Sequence, residues 1–205
     1  MKIIKEYDTL TNIRNGVEAV QVYHGTILRY AVDIYNNGID LKKSKPYLDF
    51  GQGFYTTDNF EMARNMARRI SARELRQKDI ENAFPAVITF EYKEVPGLNY
   101  KKFEYEDIEW ARFIMANRIT PEIAAKLGLK DSNVDLKYDI VIGGTADGEI
   151  ASIASDLRYG RLQAEYYNLQ LSDFLKSDGS SYGKQIAFHT QKALSCIEYV
   201  ECVTI

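Results

Sequence analysis

The chain has 205 residues, of which 45% are hydrophobic, and a formal net charge of −3. This is enough apolar material for one core of ordinary size, and the small negative charge excludes a global attraction to nucleic acid or to an anionic membrane. No apolar run approaches the roughly 18 residues of a membrane span, and the N-terminus lacks the apolar segment of a signal peptide. We therefore expect a cytoplasmic protein with one domain over residues 1–205, in which 1–20 form an N-terminal arm or short helix.

The first predicted strand and helix lie between residues 21 and 38. Gln21–Tyr23 has the composition of a strand, and Thr26 can cap the helix that follows. Asn37-Gly38 supplies the left-handed stop expected just past a helix. The apolar positions of this helix recur with the α-helical period: Ile27, Tyr30, Ala31, Ile34 and Tyr35.

A second helix is predicted after the glycine-rich segment 49–57. Asp58 and Glu61 match a capping box, so this helix should begin there. The face Arg64–Lys78 carries six basic residues, which indicates either a solvated helix face or a surface for an anionic partner. The predicted buried stripe of the helix consists of Phe60, Ala63, Met66, Ala67 and Ile70.

The rest of the chain mixes strands and helices without a repeat or a linker, which predicts a protein of the α+β class. Trp110 is expected in the core, and the spacing of Cys196 and Cys202 does not indicate a metal site. The predicted elements are strands over 86–92, 138–142, 185–190 and 199–205, and helices over 107–118, 121–127, 150–176 with a break near 159–160, and 192–196.

Two segments are candidates for a ligand-binding site because they combine a histidine, a tyrosine and glycines. The first is Tyr23-His24-Gly25-Thr26, and the second, within 49–57, ends in Gly53-Phe54-Tyr55. We expect His24 and Tyr55 at adjacent strand ends, where an imidazole and a phenol can grip a planar ring and a ribose. Glycine permits a positive φ and a close backbone approach to a ligand. Taken singly, however, the histidine would be structural and the glycines a hairpin turn.

In their order and spacing these segments resemble the paired motifs of the ADP-ribosyltransferase superfamily, in its histidine–tyrosine branch. A third motif of that branch is a glutamate that opens a late strand, and Gln185 stands at that position here. The chain also resembles a bacterial family of undefined function within the superfamily, through further residues at 110–118 and 138–143. The resemblance runs from about Val22 to the C-terminus and implies a split mixed β-sheet core with flanking helices.

The resemblance implies an NAD-dependent mono-ADP-ribosyltransferase, toxin-like, that modifies a protein or nucleic acid acceptor and releases nicotinamide. The implied catalytic residues are His24, which would hydrogen-bond a ribose hydroxyl, Tyr55, which would stack on nicotinamide, and Gln185, which would accept a hydrogen bond from the ribose. NAD is the implied substrate, and no metal is implied. Its binding residues would be Tyr23, His24, Gly25, Thr26, Gly53, Phe54, Tyr55 and Met66, the last where that branch often has a second tyrosine.

A glutamine at position 185 cannot take up a proton. A general base typically contributes about 10²–10⁴ in rate, so we expect catalysis to be weakened rather than abolished, with Glu165 as another carboxylate that can compensate. Three alternatives stay open: an NAD-binding module without turnover, a nucleic-acid binder acting through Arg64–Lys78, and an NAD-dependent RNA 2′-phosphotransferase. His189 and the glycine run 143–148, which lacks a Walker lysine, are assigned to structure.

Overall fold

The computed structural model describes residues 13–14, 17–18, 20–77, 83–146, 148–163, 166–167, 171 and 183–205. The chain divides into two compact units, and it passes from one to the other several times. The first unit holds the described residues up to Asp40 together with Tyr55–Gly97 and Gln191–Ile205. The second unit holds Leu41–Phe54 and Leu98–Thr190.

The described residues include nine strands and five α-helices. The strands are β1 Ile13–Arg14, β2 Val17–Glu18, β3 Val20–Ile27, β4 Phe54–Thr57, β5 Pro85–Tyr92, β6 Tyr100–Lys102, β7 Ile140–Gly144, β8 Lys184–Phe188 and β9 Ile197–Thr204. The helices are α1 Leu28–Asn37, α2 Phe60–Gln77, α3 Ile108–Arg118, α4 Pro121–Lys126 and α5 Gly148–Arg158, with 3₁₀ turns at Leu41–Lys43 and Gln191–Cys196.

The first unit is built on antiparallel strands in the order β4-β3-β5-β9. Strand β3 pairs with β5 along its whole length, from Val20 opposite Tyr92 to Ile27 opposite Pro85. This pairing makes β3 longer at both ends than the sequence predicts. The short strands β1 and β2 form a separate antiparallel pair.

The extension of β3 overturns the prediction that Thr26 caps helix α1. Thr26 is a buried strand residue opposite Ala86, and α1 begins at Leu28 without a side-chain cap. The backbone N–H of Leu28 instead donates to the carbonyl of Phe84 at 2.8 Å, so a neighbouring segment satisfies one of the helix's first N–H groups. The helix does stop at Gly38 as predicted, and the N–H of Gly38 donates to the carbonyl of Ile34; its φ of +78° is positive, but its ψ of −179° is extended and not that of the left-handed helix.

Helix α2 begins two residues after the predicted Asp58. Asn59 caps it, since its Oδ1 accepts a hydrogen bond from the N–H of Met62 at 3.1 Å. The predicted buried stripe is only partly right. Met66 is 44% exposed, whereas Ala63 and Ala67 are buried as expected. The buried face continues C-terminally through Ser71 and Glu74.

Helix α2 packs closely on strand β3, and Gly25 makes this possible. Ala63 and Ala67 form a buried cluster with Val87 of β5, on which Tyr23 and Phe60 pack. A Cβ atom added at Gly25 would lie 2.9 Å from the backbone nitrogen of Ala67, well inside normal contact distance. The side chain is therefore absent where the helix backbone crosses the strand.

The second unit contains both parallel and antiparallel pairing. Strand β7 pairs parallel with β6 and antiparallel with β8. Aromatic rings fill its core, with Phe103 5.2 Å from Phe113 between ring centroids. Trp110 is 1% exposed, as predicted for a core residue, and its indole N–H donates to the carbonyl of Gly144 at 3.1 Å.

The helices of the second unit follow their sequence signals. Asp107 caps α3 by accepting hydrogen bonds from two backbone N–H groups, and Thr120 caps α4 with Pro121 in the first turn. Gly128 has φ +68°, as expected of a helix stop. Strand β7 begins two residues later than predicted, and α5 ends at Arg158, just before the predicted break; most of 164–182 lies outside the described residues.

The prediction of an α+β protein with mixed β-structure and flanking helices is confirmed. Among the described helices, none combines the length and the apolar character that a membrane crossing requires.

Candidate functional site

His24 is fixed on strand β3 by a hydrogen bond to strand β4. It lies within the strand, three residues before its end, and not at a strand end as expected. Its Nδ1 is 2.7 Å from the carbonyl oxygen of Tyr55. Because a carbonyl oxygen can only accept, Nδ1 carries the proton of the neutral ring and Nε2 carries the lone pair. Burial lowers the pKa of His24, and the Tyr55 hydrogen bond offsets this effect only in part.

The predicted aromatic partners of His24 have different surroundings. Tyr55 is half-buried on β4. Tyr23 packs edge-on against Phe60 with ring centroids 5.3 Å apart, and its hydroxyl donates to the side chain of Gln21 at 3.1 Å. Burial, with a smaller contribution from Glu201, raises the pKa of Tyr23. The first unit therefore brings together the backbone of Tyr55 and the ring of His24, while Tyr23 supports helix α2.

Each motif glycine has a role in the packing or backbone of its own unit. Gly51 has φ +91°, a left-handed conformation that favours glycine. A Cβ at Gly53 would lie 2.7 Å from the carbonyl oxygen of Phe188 and 2.8 Å from Nδ1 of His189. Phe54 is also a packed residue, 8% exposed, with its ring centroid 6.5 Å from that of Phe188. The close approach predicted at Gly53 is thus made by protein atoms.

Gln185 belongs to the second unit, where its amide group is tightly held. It is 6% exposed, and its Nε2 donates to Oδ2 of Asp49 at 2.8 Å and to the carbonyl of Gly144 at 3.3 Å. Both partners are acceptors, which fixes the amide with its nitrogen towards Asp49. The carbonyl oxygen of Gln185 is then the atom left to accept hydrogen bonds.

Asp49 is the functional-site candidate that the sequence analysis missed. It is 6% exposed, and its Oδ1 contacts two guanidinium nitrogens of Arg118 at 2.6 and 2.5 Å. The backbone N–H of Ala146 approaches Oδ2 at 3.4 Å. A buried carboxylate is therefore compensated by one guanidinium and by the amide of Gln185.

The Asp49 network offers a physical reason for glutamine at position 185. A glutamate there would set a second carboxylate against Asp49, and such a like-charge pair raises the pKa of one member. Glutamine instead donates to Asp49. The partners lie 69 and 136 residues from Asp49 along the chain, so no local pattern reveals the network. The available signal was the presence of Asp49 and Arg118 among the segments that carry the family resemblance.

The basic face of helix α2 is partly compensated within the helix. Arg64 forms an ion pair with Glu61, and Arg73 contacts the buried Glu74 at 3.2 Å. The side chains of Arg68 and Arg69 are exposed. Lys78, at the end of the predicted patch, and the compensating carboxylate Glu165 lie outside the described residues. In the part of the chain that the structure describes, no cluster of three His, Cys, Asp or Glu side chains is arranged to hold a metal ion.

His189 is built into the second unit. It is 3% exposed, and its Nδ1 lies 2.8 Å from the carbonyl oxygen of Gln52, which fixes the proton on Nδ1. Burial lowers the pKa of His189 to about 4, with hydrogen bonding to Gln52 and the charge of Asp139 acting in the opposite direction.

We expect this histidine to make the fold acid-sensitive. Its folded-state pKa of about 4 lies below the ordinary 6.5, so the unfolded chain binds the proton first as pH falls. The contribution to stability is full above pH 6.5 and is lost between pH 6.5 and 4, by about 3 kcal/mol. Urea unfolding at a series of pH values measures this slope.

The matched variant is His189→Asn, whose amide can still donate to the Gln52 carbonyl but does not titrate. We expect a flatter dependence on pH between 6.5 and 4. An unchanged slope in the folded variant would assign the acid sensitivity to other groups, among them His24, whose pKa is lowered in the same direction.

Comparison with known proteins gives a family assignment. No curated protein and no solved structure matches the chain. A family model described as "Protein of unknown function (DUF3990)" matches residues 20–199, a range that includes His24, Asp49, Tyr55 and Gln185. Because this match spans most of the chain, the protein belongs to the DUF3990 family.

Proposed function

We propose that this protein is an NAD-dependent mono-ADP-ribosyltransferase that transfers ADP-ribose to a macromolecular acceptor. The observation that carries the proposal is the 2.7 Å contact between Nδ1 of His24 and the carbonyl of Tyr55. It fixes one neutral tautomer of the imidazole on the strand pair that also bears the Tyr55 side chain. The imidazole and the phenol that the histidine–tyrosine motifs imply thus belong to one pair of strands.

The reaction requires little proton transfer by these residues. Cleavage of the bond between nicotinamide and ribose passes through an oxocarbenium-like state, and nicotinamide leaves as a neutral molecule. His24 would accept a hydrogen bond from a ribose hydroxyl through Nε2, which is an acceptor only in the tautomer that the Tyr55 carbonyl selects. Tyr55 would stack on the nicotinamide ring. Gln185 enters the proposal through the family resemblance alone, as an acceptor for a ribose hydroxyl.

Two substitutions test the contributions of the two ring nitrogens of His24 separately. In His24→Asn, the amide nitrogen lies near the Nδ1 position and can keep the hydrogen bond to the Tyr55 carbonyl, but the Nε2 acceptor is lost. In His24→Gln, the longer amide can place an acceptor near the Nε2 position. We expect the asparagine variant to remain folded and to lose about 10²-fold or more in nicotinamide release, with partial retention in the glutamine variant.

The assay incubates NAD labelled in the nicotinamide ring, and separately in the adenylate, with the full chain and a cell lysate. Release of nicotinamide with label transferred to a macromolecule supports the proposal. Absence of both in the wild type, or equal activity in His24→Asn, contradicts it. Phosphorylated ADP-ribose products from 2′-phosphorylated RNA would instead assign the RNA 2′-phosphotransferase reaction.

An NAD-binding module without turnover is the second candidate, and the Gln185–Asp49 contact favours it. The amide of Gln185 is buried and donates to Asp49, and an amide supplies neither a general base nor a negative charge at the sugar. This candidate predicts that NAD raises the melting temperature while no nicotinamide is released. His24→Asn should then remove the stabilisation by NAD.

A further inference from the structure

Aromatic and basic side chains that take no part in the Asp49 network meet in the second unit. The guanidinium carbon of Arg158 lies 4.7 Å from the ring centroid of Tyr47 and 5.1 Å from that of Tyr159. Arg161 lies 5.1 Å from the same Tyr159 ring. We call these four residues the tyrosine–arginine surface. Two arginines and two tyrosines thus alternate in contact, each arginine at cation–π distance from a ring.

The surface is exposed, and part of it is held in place. Tyr159 is 64% exposed and Tyr47 is 38% exposed, although both are large aromatic residues. Arg161 is oriented by Asp156, at 2.7 Å, and by the hydroxyl of Ser155, at 3.1 Å. Tyr47 has φ +61°, a conformation that a bulky side chain seldom adopts and that is found preferentially at binding sites.

The sequence around the surface is basic, in contrast to the chain as a whole. The segment 41–48 contains Lys42, Lys43 and Lys45 and no acidic residue, and 155–163 contains two arginines and only one acid, Asp156. The three lysine side chains are exposed. The overall net charge of −3 therefore conceals a local excess of positive charge.

This chemistry matches single-stranded nucleic acid. Unpaired bases stack on tyrosine rings and on guanidinium planes, while lysines follow the phosphate backbone. A duplex offers its phosphates but keeps its base faces stacked inside. An acidic protein would use the positive charges but would not account for two exposed tyrosines among them.

We propose that the tyrosine–arginine surface binds single-stranded RNA or DNA. Bases stack on Tyr159 and Tyr47, Arg158 and Arg161 contact bases and phosphates, and the lysines of segment 41–48 extend the phosphate contacts. This inference is independent of NAD chemistry, and it places nucleic-acid binding on different residues from the basic face of helix α2.

The test is fluorescence anisotropy of labelled oligonucleotides of about 12 nucleotides, titrated with the full chain. Oligo(U), oligo(dT) and a duplex of the same length are compared at roughly 50 and 200 mM salt. We expect both single strands to bind more tightly than the duplex, and three phosphate contacts to give about a 20-fold weakening over this salt range. The ratio of RNA to DNA affinity then shows which strand is preferred.

Matched variants locate the site. Tyr159→Ala and Arg158→Ala should each weaken binding about tenfold, and Tyr159→Phe, which keeps the ring, should bind like the wild type. Tyr105→Ala is the aromatic control, since Tyr105 is 75% exposed in the same unit. The paired change Arg68→Ala with Arg69→Ala reports on helix α2. Melting temperatures are measured for every variant.

Every outcome bears on the proposal. Loss of binding in Tyr159→Ala and Arg158→Ala with retention in the two controls supports it. It is overturned by the absence of single-strand binding, by equally tight duplex binding, by normal binding of Tyr159→Ala, or by loss confined to the Arg68 and Arg69 variant. Nicotinamide release is followed in parallel, so that failure of the proposed transferase activity is recognised separately.

Discussion

Replacing Gly25 by alanine is expected to destabilise the first unit by about 3 kcal/mol. The new methyl group would point into helix α2, where it would lie 2.9 Å from the backbone nitrogen of Ala67 and closer still to the backbone carbonyl of Ala63. Backbone atoms of a helix cannot rotate away as a flexible side chain can. Strand β3 and helix α2 must therefore separate, which opens the cluster around Ala63, Ala67 and Val87.

Urea unfolding followed by far-ultraviolet circular dichroism measures this loss, and hydrogen exchange of the α2 amides locates it. The midpoint should fall by about 1–2 M. Gly148→Ala is the control, because a Cβ at Gly148 meets no atom within 4 Å. A loss below about 1 kcal/mol in Gly25→Ala would show that α2 and β3 can move apart at little cost.

This prediction affects how the histidine–glycine motif is interpreted. The family resemblance implied that Gly25 takes part in binding NAD. The structure gives a sufficient reason inside the protein, namely the crossing of helix α2. At Gly53 the neighbours are Phe188 and His189, again protein atoms. Glycine at these positions therefore supports the fold directly, and the proposed function depends more on His24 and Tyr55.

Helix signals that depend on neighbouring residues were predicted well from the sequence. Asp107 and Thr120 cap α3 and α4 because each side chain bonds to backbone only two or three residues further along. The stops at Gly38 and Gly128 follow from the conformational freedom of glycine. Such features are set by local geometry, so a short window of sequence contains the information needed.

Errors arose where distant parts of the chain compete with local signals. Thr26 has the chemistry of a helix cap, but the pairing of β3 with β5 keeps it in a strand. Met66 fits an apolar helical stripe, yet Ala63 and Ala67 are the residues that face the sheet. Strand β6 was not predicted, because its three residues gain their hydrogen bonds from β7, about forty residues later. The sequence contains no local sign of these partners.

Position 49 shows the same limitation in the candidate site. The glutamine at position 185 is evident from the sequence, but the group that its amide contacts is not. In the second unit that group is the carboxylate of Asp49, itself paired with Arg118. The side chain that distinguishes this chain from the glutamate motif is therefore part of a buried polar network.

Removing the Asp49 carboxylate is expected to cost about 3–5 kcal/mol of stability. Asp49→Ala would leave the half-buried guanidinium of Arg118 without its carboxylate, and the amide of Gln185 would keep only the Gly144 carbonyl at 3.3 Å as an acceptor. Such groups pay their full desolvation penalty when a partner is lost. Asp49→Asn should cost less, because one oxygen can still face Arg118, but its amide nitrogen would oppose Nε2 of Gln185, donor against donor.

The single tryptophan, Trp110, is buried in the same unit as Asp49, so its fluorescence during urea unfolding reports on this network directly. The exposed ion pair of Asp156 with Arg161 is the control, and Asp156→Ala should change stability by less than about 1 kcal/mol.

A double-mutant cycle tests the coupling of Asp49 to Arg118. The variant with both Asp49→Ala and Arg118→Ala should lose less stability than the sum of the losses in the two single variants. Additive losses would mean that the pair is not coupled. Wild-type stability in Asp49→Ala would mean that water or another acceptor replaces the carboxylate. Asp49 would then not be the group that fixes the orientation of the Gln185 amide.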